Sequence, residues 1–312
     1  DEMQATGLFW QSVDRLFKEF PSMDLRLPKG FGPGTKVGPC TLQTPLGQGS
    51  FGKVWAAASR SSAKEAVKVV SKKSIKQCKQ ASALYREMHM HGRLQHPHII
   101  KFIGVLHGPL HIFIRMEAAS EVNLFRKLKA ERGPLQVEDA KRYHKQLSDA
   151  IACCHANGIA HRDLKPENIG FSACGRDLKV LDFGCCVLMT GPRSDMVGSF
   201  PFMAPEVLVA SGEAPYAPAP ADVWSCGVIL VEMTRGVHHF NRVLGWEDDA
   251  RPSARRHADI LRYFDDEQAV RRLLEGSHDI DLEDLLRGMF YTDPEQRWSA
   301  ERVSQCAWSA SG

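Results

Sequence analysis

Two short motifs in the middle of the chain restrict its fold and chemistry more than any other feature. The first is residues 161–168 (HRDLKPEN), and the second is residues 182–184 (DFG), whose aspartate follows Asp163 by 19 positions. Transfer of the γ-phosphoryl group of ATP needs a carboxylate near the attacking hydroxyl, a cation near the phosphate, and carboxylate and amide oxygens that hold Mg²⁺. The chain supplies groups of each kind here, in Asp163, Lys165, Asn168 and Asp182.

A glycine-rich segment upstream indicates a phosphate-binding turn. Residues 46–54 (LGQGSFGKV) lie between short apolar stretches, which predicts a strand, a turn and a second strand. Small residues in such a turn let backbone N–H groups approach phosphate oxygens. The next apolar strand contains Lys68, and a buried cation is costly without an anionic partner. Glu87, in a helix predicted over residues 81–94, is the candidate partner.

Three segments further downstream complete an ordered set of motifs. They are residues 198–206 (GSFPFMAPE), 222–227 (DVWSCG) and 293–297 (DPEQR). In this order the motifs resemble those of eukaryotic protein kinases, and the resemblance covers residues 40–308. A lysine two positions after the aspartate, here Lys165, makes this motif resemble that of the serine/threonine class rather than the tyrosine class.

The resemblance also implies a fold and a branch of the family. Residues 87–104, together with two of the downstream segments, resemble the calmodulin-dependent, AMP-activated and checkpoint kinases. The implied fold is α+β and bilobal, with a small antiparallel β-sheet lobe carrying one major helix and a larger, mostly helical lobe. The expected divisions are a small lobe over 40–116, a hinge at 117–119 and a large lobe over 120–308. Residues 1–39 are expected to form an N-terminal extension with an amphipathic helix and a Gly/Pro-rich linker.

The implied activity is transfer of the γ-phosphate of MgATP to serine or threonine hydroxyls of protein substrates. By resemblance, Asp163 is the catalytic base, Lys165 steadies the γ-phosphate, and Asn168 and Asp182 hold Mg²⁺, with Mn²⁺ as an alternative metal. Lys68, paired with Glu87, is expected to position the α- and β-phosphates.

The resemblance further implies an adenine site. Met116 is expected to be the gatekeeper at its back, with the backbone of Glu117 and Ala119 facing the adenine edge. The full set of residues implied for nucleotide binding is Leu46, Gly47, Gln48, Gly49, Ser50, Phe51, Gly52, Lys53, Val54, Ala66, Lys68, Glu87, Met116, Glu117, Ala119, Asn123, Glu167, Asn168 and Asp182.

Two further residues are assigned structural roles by the same resemblance. Arg297 is expected to pair bidentately with Glu206 and to tie the activation segment to the large lobe. The alternative is a surface pair that contributes less than about 1 kcal/mol to stability. His161 is interpreted as a packing and hydrogen-bonding residue rather than a proton-transfer group.

The chain departs from the family pattern at two binding positions. Gly170 stands where the family usually has a leucine under the adenine. The missing side chain leaves space or requires another residue to fill it, and we predict an enlarged adenine pocket. Asn123 stands where many relatives that prefer basic substrates have a glutamate near the ribose. Glu167 remains, so a preference for basic residues upstream of the phosphorylated Ser or Thr is weakened but retained.

The activation segment offers few regulatory sites. Thr190 and Ser194 are the candidates for a phosphate that would be bound by Arg162, and the alternative is a segment that holds itself in place without modification. The nine cysteines lack the C-x-x-C spacing of metal sites and are interpreted as reduced thiols. For Cys185 and Cys186, unreactive thiols are the favoured interpretation, and a redox switch is the alternative.

Composition narrows the classes of partner. The chain is 43% hydrophobic and 25% charged, with a net charge of +3, and its one basic cluster, residues 251–257, is expected to be a solvated loop within an insertion over 241–265. Nucleic-acid binding is therefore not expected. No apolar stretch reaches the ~18 residues of a membrane span, and the N-terminus lacks the pattern of a secretory signal. A cytoplasmic or nuclear location, or both, is expected.

Residues 6–20 carry apolar side chains at helical spacing. The favoured interpretation packs this face on the kinase domain, and the alternative makes it a docking helix for a regulatory partner. Two other functional classes also remain open. A pseudokinase scaffold would bind nucleotide and partners without turnover, and a small-molecule kinase would share the magnesium motifs but act on another class of acceptor.

Overall fold

The computed structural model describes residues 15, 17–28, 30–48, 52–59, 64–247, 251–275, 277 and 279–310. These residues form two compact units. The first consists of the described residues up to Gln95 together with Ile100–Glu121, and the second consists of His96–Ile99 and the described residues from Val122 onward. The first unit is built on an antiparallel sheet and the second is mostly helical, which confirms the predicted α+β, bilobal fold class.

The first unit contains a six-stranded sheet in the order β1-β2-β3-β4-β6-β5. Its strands are β1 (Lys36–Val37), β2 (Cys40–Gln48), β3 (Gly52–Ser59), β4 (Lys64–Ser71), β5 (Phe102–His107) and β6 (His111–Glu117). A 3₁₀ turn (Lys72–Ser74) leads from β4 into helix α1 (Cys78–Arg93). α1 begins earlier than predicted, because the Gln80 side chain accepts a hydrogen bond from the Gln77 N–H (3.1 Å) and so caps the first turn.

The segment that precedes the sheet packs on α1. Phe17 is fully buried in a core with Leu84 and Met88 of α1, and its ring meets that of Tyr85 edge-on at 6.2 Å. Phe20 packs against the same cluster. Both side chains therefore cover the chain's own core, as the favoured interpretation predicts. The other apolar positions of that prediction, Leu8, Phe9, Val13 and Leu16, lie outside the described residues.

The second unit contains the larger share of the helices. They are α2 (Leu124–Glu131), α3 (Val137–Ala156), α4 (Pro205–Leu208), α5 (Pro218–Arg235), α6 (His239–Val243), α7 (Ala254–Phe264), α8 (Ala269–Leu273), α9 (Ile280–Met289), α10 (Ala300–Ser304) and α11 (Ala307–Ala310). Helix α5 is buried along almost its whole length, which fits its continuous apolar sequence. Trp224 anchors it by packing edge-on against Phe240, Phe264 and Phe290.

Short strands hold the predicted catalytic loop. They are β7 (Ile159–Ala160), β8 (Ile169–Phe171), β9 (Leu178–Val180) and β10 (Val187–Leu188), in two antiparallel pairs, β7 with β10 and β8 with β9. Residues 161–168 lie between β7 and β8, and Asp182 follows β9 by two residues, followed by a 3₁₀ turn (Phe183–Cys185). The strands thus fix both motifs within one small region of the second unit.

The expectation of a solvated loop over residues 251–257 was wrong for its second half. Helix α7 begins at Ala254, because the Ser253 hydroxyl accepts a hydrogen bond from the Arg256 N–H (3.3 Å) and caps the helix. Ile260 is buried one to two turns later. Within the described part of the chain, helices combining the length and apolar character of a bilayer span are absent.

Candidate active site

Three side chains of the second unit form a closed set of hydrogen bonds at the start of the catalytic loop. The Ser199 hydroxyl donates to Asp163 Oδ1 (2.8 Å), and Lys165 Nζ donates to the Ser199 oxygen (2.6 Å). Lys165 Nζ also lies 3.1 Å from Asp163 Oδ2. The Asp163 carboxylate is therefore already placed to accept a proton-bearing hydroxyl, at the distance that general base catalysis requires. Lys165 supplies positive charge beside it.

The backbone of this loop is held by a buried aspartate of α5. Asp222 is 1% exposed, and its carboxylate accepts the backbone N–H groups of His161 (2.8 Å) and Arg162 (2.7 Å) and the ring of His155 (2.9 Å). These bonds stabilise Arg162 in the left-handed region, with φ of +67°. The buried helix α5 therefore fixes the backbone of Arg162, the residue before Asp163.

His161 has no free ring nitrogen to offer a substrate. Its Nε2 lies 2.9 Å from the carbonyl oxygen of Leu181, and its Nδ1 accepts the backbone N–H of Asp163 (3.3 Å). The ring is fully buried and meets Phe183 edge-on at 5.1 Å. Because both nitrogens are used to join the loop to the DFG motif, the structural interpretation of His161 agrees with the geometry.

Asn168 and Asp182 present oxygen atoms suited to a hard cation. Asn168 Nδ2 donates to the carbonyl oxygen of Asp163 (2.8 Å) and to its carboxylate (3.1 Å), so the amide oxygen Oδ1 is the atom of this side chain that could ligate a cation. The backbone N–H of Leu181 donates to the carbonyl of Asn168 (2.9 Å), and Asp182 is the next residue. Asp182 is exposed, with φ of +54°, and its carboxylate accepts the N–H of Gly184 (3.3 Å).

This donor set fits Mg²⁺ bound together with phosphates. Mg²⁺ in such sites takes one or two protein carboxylates and completes its octahedron with substrate phosphates and water. Among the described residues, no cluster of three or more His, Cys, Asp or Glu side chains that could hold a metal by themselves is found. One carboxylate and one amide oxygen are therefore what this site offers.

In the first unit, Lys68 of β4 and Glu87 of α1 form a buried ion pair. Lys68 Nζ lies 2.9 Å from Glu87 Oε1, and the side chains are 7% and 10% exposed. This is the pairing that the sequence motifs predicted. The carboxylate of Glu87 compensates for the solvation that the buried lysine loses.

The glycine-rich segment forms the predicted strand and return strand. β2 and β3 pair at Gly47 with Val54 and at Gln48 with Lys53, with an irregular register beside Leu46. A Cβ on Gly52 would overlap the carbonyl oxygen of Val69 on β4, so only glycine fits there. The tip of the turn, Gly49, Ser50 and Phe51, lies outside the described residues.

The predicted adenine-site residues lie along two neighbouring strands. Ala66 of β4 is opposite Met116 of β6, and the last pair of this ladder joins Glu65 and Glu117. Met116 is half-buried against the core that contains Phe17. Ala119 is half-buried two residues after the end of β6.

Asn123 has a structural role at the start of α2. Its side-chain oxygen accepts the N–H of Arg126 (3.0 Å) and caps the helix, while its Nδ2 donates to the carbonyl oxygen of Glu167 (3.3 Å). The Glu167 side chain is exposed. Both residues therefore lie together, although Asn123 carries no charge for a substrate.

The chain also matches a known family over most of its length. The family whose description is "Protein kinase domain" matches residues 40–309. The chain belongs to the protein kinase family. Within it, the chain is of the serine/threonine class and of the branch related to calmodulin-dependent kinases, as the motifs predicted.

Two plant proteins are among those to which the chain is similar. CBL-interacting protein kinase 28 of Oryza sativa subsp. japonica is 33% identical over 272 residues, which cover 84% of this chain and 57% of that protein. CBL-interacting serine/threonine-protein kinase 9 of Arabidopsis thaliana is 37% identical over 213 residues, which cover 66% of this chain and 46% of that protein. The chain spans about half the length of the curated relatives it matches. Proteins of this family generally use ATP and Mg²⁺.

The Leu181 side chain lies beside Gly170. A Cβ on Gly170 would lie 2.8 Å from the Cδ1 atom of Leu181 and 3.3 Å from its Cγ atom. Leu181, on the neighbouring chain segment, therefore occupies part of the space that a side chain at residue 170 would take. The enlarged adenine pocket stays a prediction.

The cysteines that follow the DFG motif are not in a reactive setting. Burial raises the pKa of the Cys185 thiol to about 11, and the nearby carboxylates of Asp163 and Asp182 act in the same direction. Cys186 is buried. A thiol with such a pKa carries almost no thiolate at neutral pH, which agrees with the favoured reading of these cysteines as unreactive.

Four functional or supporting residues were not assigned roles from the sequence. Ser199 and Asp222 lie in the motifs 198–206 and 222–227, but the motifs do not show which groups these two side chains contact. Glu232 is a buried carboxylate of α5, and Asp195 is a charged residue of the activation segment; neither carries a local signal beyond its residue type.

Proposed function

We propose that this chain is the catalytic domain of a protein serine/threonine kinase, which transfers the γ-phosphoryl group of MgATP to serine or threonine hydroxyls of proteins. The observation that carries the proposal is the hydrogen-bonded set of Asp163, Lys165 and Ser199. It joins a carboxylate, a serine hydroxyl and a lysine at 2.6–3.1 Å. Such an arrangement would accept a substrate hydroxyl and would neutralise charge on a phosphate beside it.

Asp163 would orient the acceptor hydroxyl and take its proton at a carboxylate oxygen. Its contacts with Asn168 and Lys165 fix the direction of the carboxylate, which is what positional catalysis requires. Lys165, on the same loop, would stabilise the negative charge that develops on the phosphoryl group during transfer. Ser199 would keep the two side chains together.

Asn168 and Asp182 would hold Mg²⁺ through one amide and one carboxylate oxygen. The bound metal supplies charge neutralisation between the phosphates. Lys68, kept charged and oriented by Glu87, would contact the α- and β-phosphates. The backbone around Gly47 and Gly52 would cover the phosphates, since its glycines allow close approach. Mn²⁺ is an alternative metal, because its oxygen-ligand preference is similar.

For the substrate we propose a preference for basic residues near the phosphorylated Ser or Thr. Glu167 is exposed at the catalytic loop. Burial raises the pKa of Glu232 to about 7, and Glu167 contributes in the same direction. A substrate cation near these two carboxylates would favour their charged forms, and it would gain attraction from both. Phosphorylation of a degenerate peptide library tests the preference, and equal rates with and without basic residues would remove it.

For partners we propose protein substrates and a regulatory protein that contacts the segment of residues 6–20. The name of the plant relatives states that they interact with CBL. In this chain Phe17 and Phe20 already pack on α1, so a partner would use other parts of the segment. Binding of a purified CBL protein from Arabidopsis thaliana to the whole chain, compared with a chain that lacks residues 1–14, tests this. Equal binding by both, or binding by neither, would contradict it.

The main experiment separates the acceptor classes. Peptides with a single Ser, Thr or Tyr, and an aminoglycoside as a small-molecule acceptor, are incubated with labelled MgATP and the whole chain. We expect label on Ser and Thr peptides only. Label on the aminoglycoside alone would indicate a small-molecule kinase. Nucleotide binding without transfer to any acceptor would indicate a pseudokinase.

A further inference from the structure

Arg162 is a residue of the catalytic loop whose largely buried guanidinium contacts the activation segment. Its side chain is 7% exposed. The guanidinium donates from Nε to the carbonyl oxygen of Cys185 (2.9 Å) and from Nη1 to Asp195 Oδ2 (2.9 Å), with the Tyr216 hydroxyl 3.5 Å away. A buried guanidinium needs an anion, because the loss of its hydration is otherwise uncompensated. Asp195 provides that anion.

Both carboxylate oxygens of Asp195 accept hydrogen bonds from arginines. Oδ2 accepts from Arg162, and Oδ1 accepts from Arg193 Nε (3.1 Å). The backbone carbonyl of Asp195 accepts the hydroxyl of Tyr216 (3.2 Å), and Arg193 exchanges two backbone hydrogen bonds with Tyr216 (2.8 and 2.7 Å). Partial burial raises the pKa of Asp195, but the bonds from both arginines outweigh it and the net pKa is lowered. The carboxylate is therefore charged at neutral pH.

The two candidate phosphorylation sites are in a different situation. Thr190 and Ser194 are both exposed. The guanidinium bonds of Arg162 go to Cys185, Asp195 and Tyr216 instead. The position that a phosphate on this segment would take against the arginine is thus filled by a carboxylate of the chain itself.

The residues that follow Asp195 lie against the catalytic loop. Gly198, with φ of +130°, passes so close to Arg162 that a Cβ on it would lie 2.9 Å from the Arg162 carbonyl oxygen. The next residue is Ser199, which donates to Asp163 (2.8 Å). Residues 195–199 therefore run alongside residues 162–165, and Asp195 anchors the beginning of that contact.

We propose that Asp195 is a positioning residue for phosphoryl transfer. It gives Arg162 a permanent anion and so holds Ser199 against Asp163 and Lys165 without phosphorylation of Thr190 or Ser194. The inference rests on the proposed function, since it concerns the same reaction.

The test uses the whole chain, freed of phosphate by a phosphatase. Variants are Asp195→Asn, which keeps the shape and removes the charge, Asp195→Glu, which restores the charge, and the double variant Thr190→Ala/Ser194→Ala. Asp266→Asn is the matched control, because Asp266 makes an exposed ion pair with Arg272 (2.5 Å). Transfer to a Ser peptide is measured as kcat and as KM for peptide and for ATP.

We expect Asp195→Asn to lower kcat by about 10- to 100-fold, because a small displacement of reacting groups has an effect of that size. KM for ATP should stay unchanged, Asp195→Glu should recover most of kcat, and both Asp266→Asn and the double alanine variant should behave as wild type. Wild-type kcat in Asp195→Asn would overturn the inference. So would transfer by the untreated wild type that is lost on phosphatase treatment, or transfer by the wild type that is lost in the double alanine variant.

A second measurement is independent of turnover. Hydrogen exchange of the segment 186–203 should be slow in phosphate-free wild type and fast in Asp195→Asn. Equal exchange in the two proteins would overturn the inference even if the wild type showed no transfer. Absence of transfer in wild type with this exchange difference intact would instead count against the proposed function alone.

Discussion

The activation segment, residues 182–206, is tied to the rest of the second unit at its C-terminal end and at its middle, each time by an arginine and a carboxylate, and the two ties differ in burial. At the C-terminal end, the Arg297 side chain is 0% exposed and donates to both oxygens of Glu206 (2.6 and 3.0 Å). In the middle, the Arg162 side chain is 7% exposed and donates one bond to the carboxylate of Asp195, whose side chain is 41% exposed.

The difference separates stability from positioning. Arg297 also donates to the carbonyl oxygens of Tyr291 (2.9 Å) and Pro220 (2.9 Å) and lies over the Trp224 ring, so it joins several parts of the second unit. The bidentate pair with Glu206 that the sequence predicted is confirmed, and its burial contradicts the alternative of a surface pair. The Asp195 tie touches mainly the segment and the catalytic loop. We therefore expect the first tie to control folding and the second to control turnover.

The largest effect is expected for Arg297→Ala. Removing one partner leaves Glu206 and two carbonyl groups without their donor, and breaking a buried ion pair costs about 3–5 kcal/mol. Denaturant unfolding measures the loss. Arg272→Ala is the control, since its pair with Asp266 is exposed to solvent and should change the unfolding free energy far less. A similar small change for Arg297→Ala would show that the two ties do not differ.

A buried carboxylate with a neutral partner sharpens the comparison. Glu232 is 2% exposed and accepts the backbone N–H of His238 (3.2 Å). Burial raises its pKa from 4.5 to about 7. The folded state then binds more protons than the unfolded chain between these values, so stability falls as the pH rises through that window.

Glu232→Gln should therefore stabilise the protein at pH 8 relative to wild type by on the order of 1–3 kcal/mol, and by much less at pH 5. Unfolding free energies of both proteins across this range measure it. A constant difference between them at all pH values would contradict the prediction.

Asp195→Asn should have a smaller effect on stability. Its carboxylate is partly exposed and the asparagine keeps an acceptor for Arg162, so we expect a loss of about 1 kcal/mol. Denaturant unfolding of the same samples used for kinetics measures it. A loss as large as that of Arg297→Ala would mean that Asp195 supports the fold rather than the geometry of the segment.

The smallest expected effect is the pH dependence of that tie. The pKa of Asp195 lies below its ordinary value of 3.8. Its contribution is therefore present above that pH and lost only as the pH falls through the lowered pKa. Between pH 5 and pH 8 the difference in unfolding free energy between wild type and Asp195→Asn should be flat, in contrast to Glu232→Gln. A slope in this range would show that the Asp195 carboxylate is not permanently charged.

Much of the site was predictable because its elements carry local signals. Lys68 lies in an apolar strand and Glu87 in a helix. Because a buried lysine needs an anionic partner, the sequence predicts that the two side chains pair. The strands around the catalytic loop follow from short apolar runs bounded by turn residues. The roles of the nucleotide-binding and catalytic residues remain predictions that the kinetics above must test.

The remainder depends on which side chains meet in three dimensions. Arg162 is recognisable from sequence, but whether Asp195, Thr190 or Ser194 reaches it is decided by the path of the segment. Leu181 fills space beside Gly170 through a contact between chain segments that no local pattern encodes. Helix α7 begins inside the basic cluster because the Ser253 side chain caps it, a signal that charge composition alone does not show.

The most direct test of the account is transfer of label from MgATP to a Ser peptide by phosphate-free wild type and by Asp163→Asn. The account predicts turnover by the wild type and a loss to background in Asp163→Asn, with both proteins equally stable and both binding nucleotide. Equal transfer by the two proteins would contradict the role of Asp163, and absence of transfer in both would contradict the assignment as an active kinase.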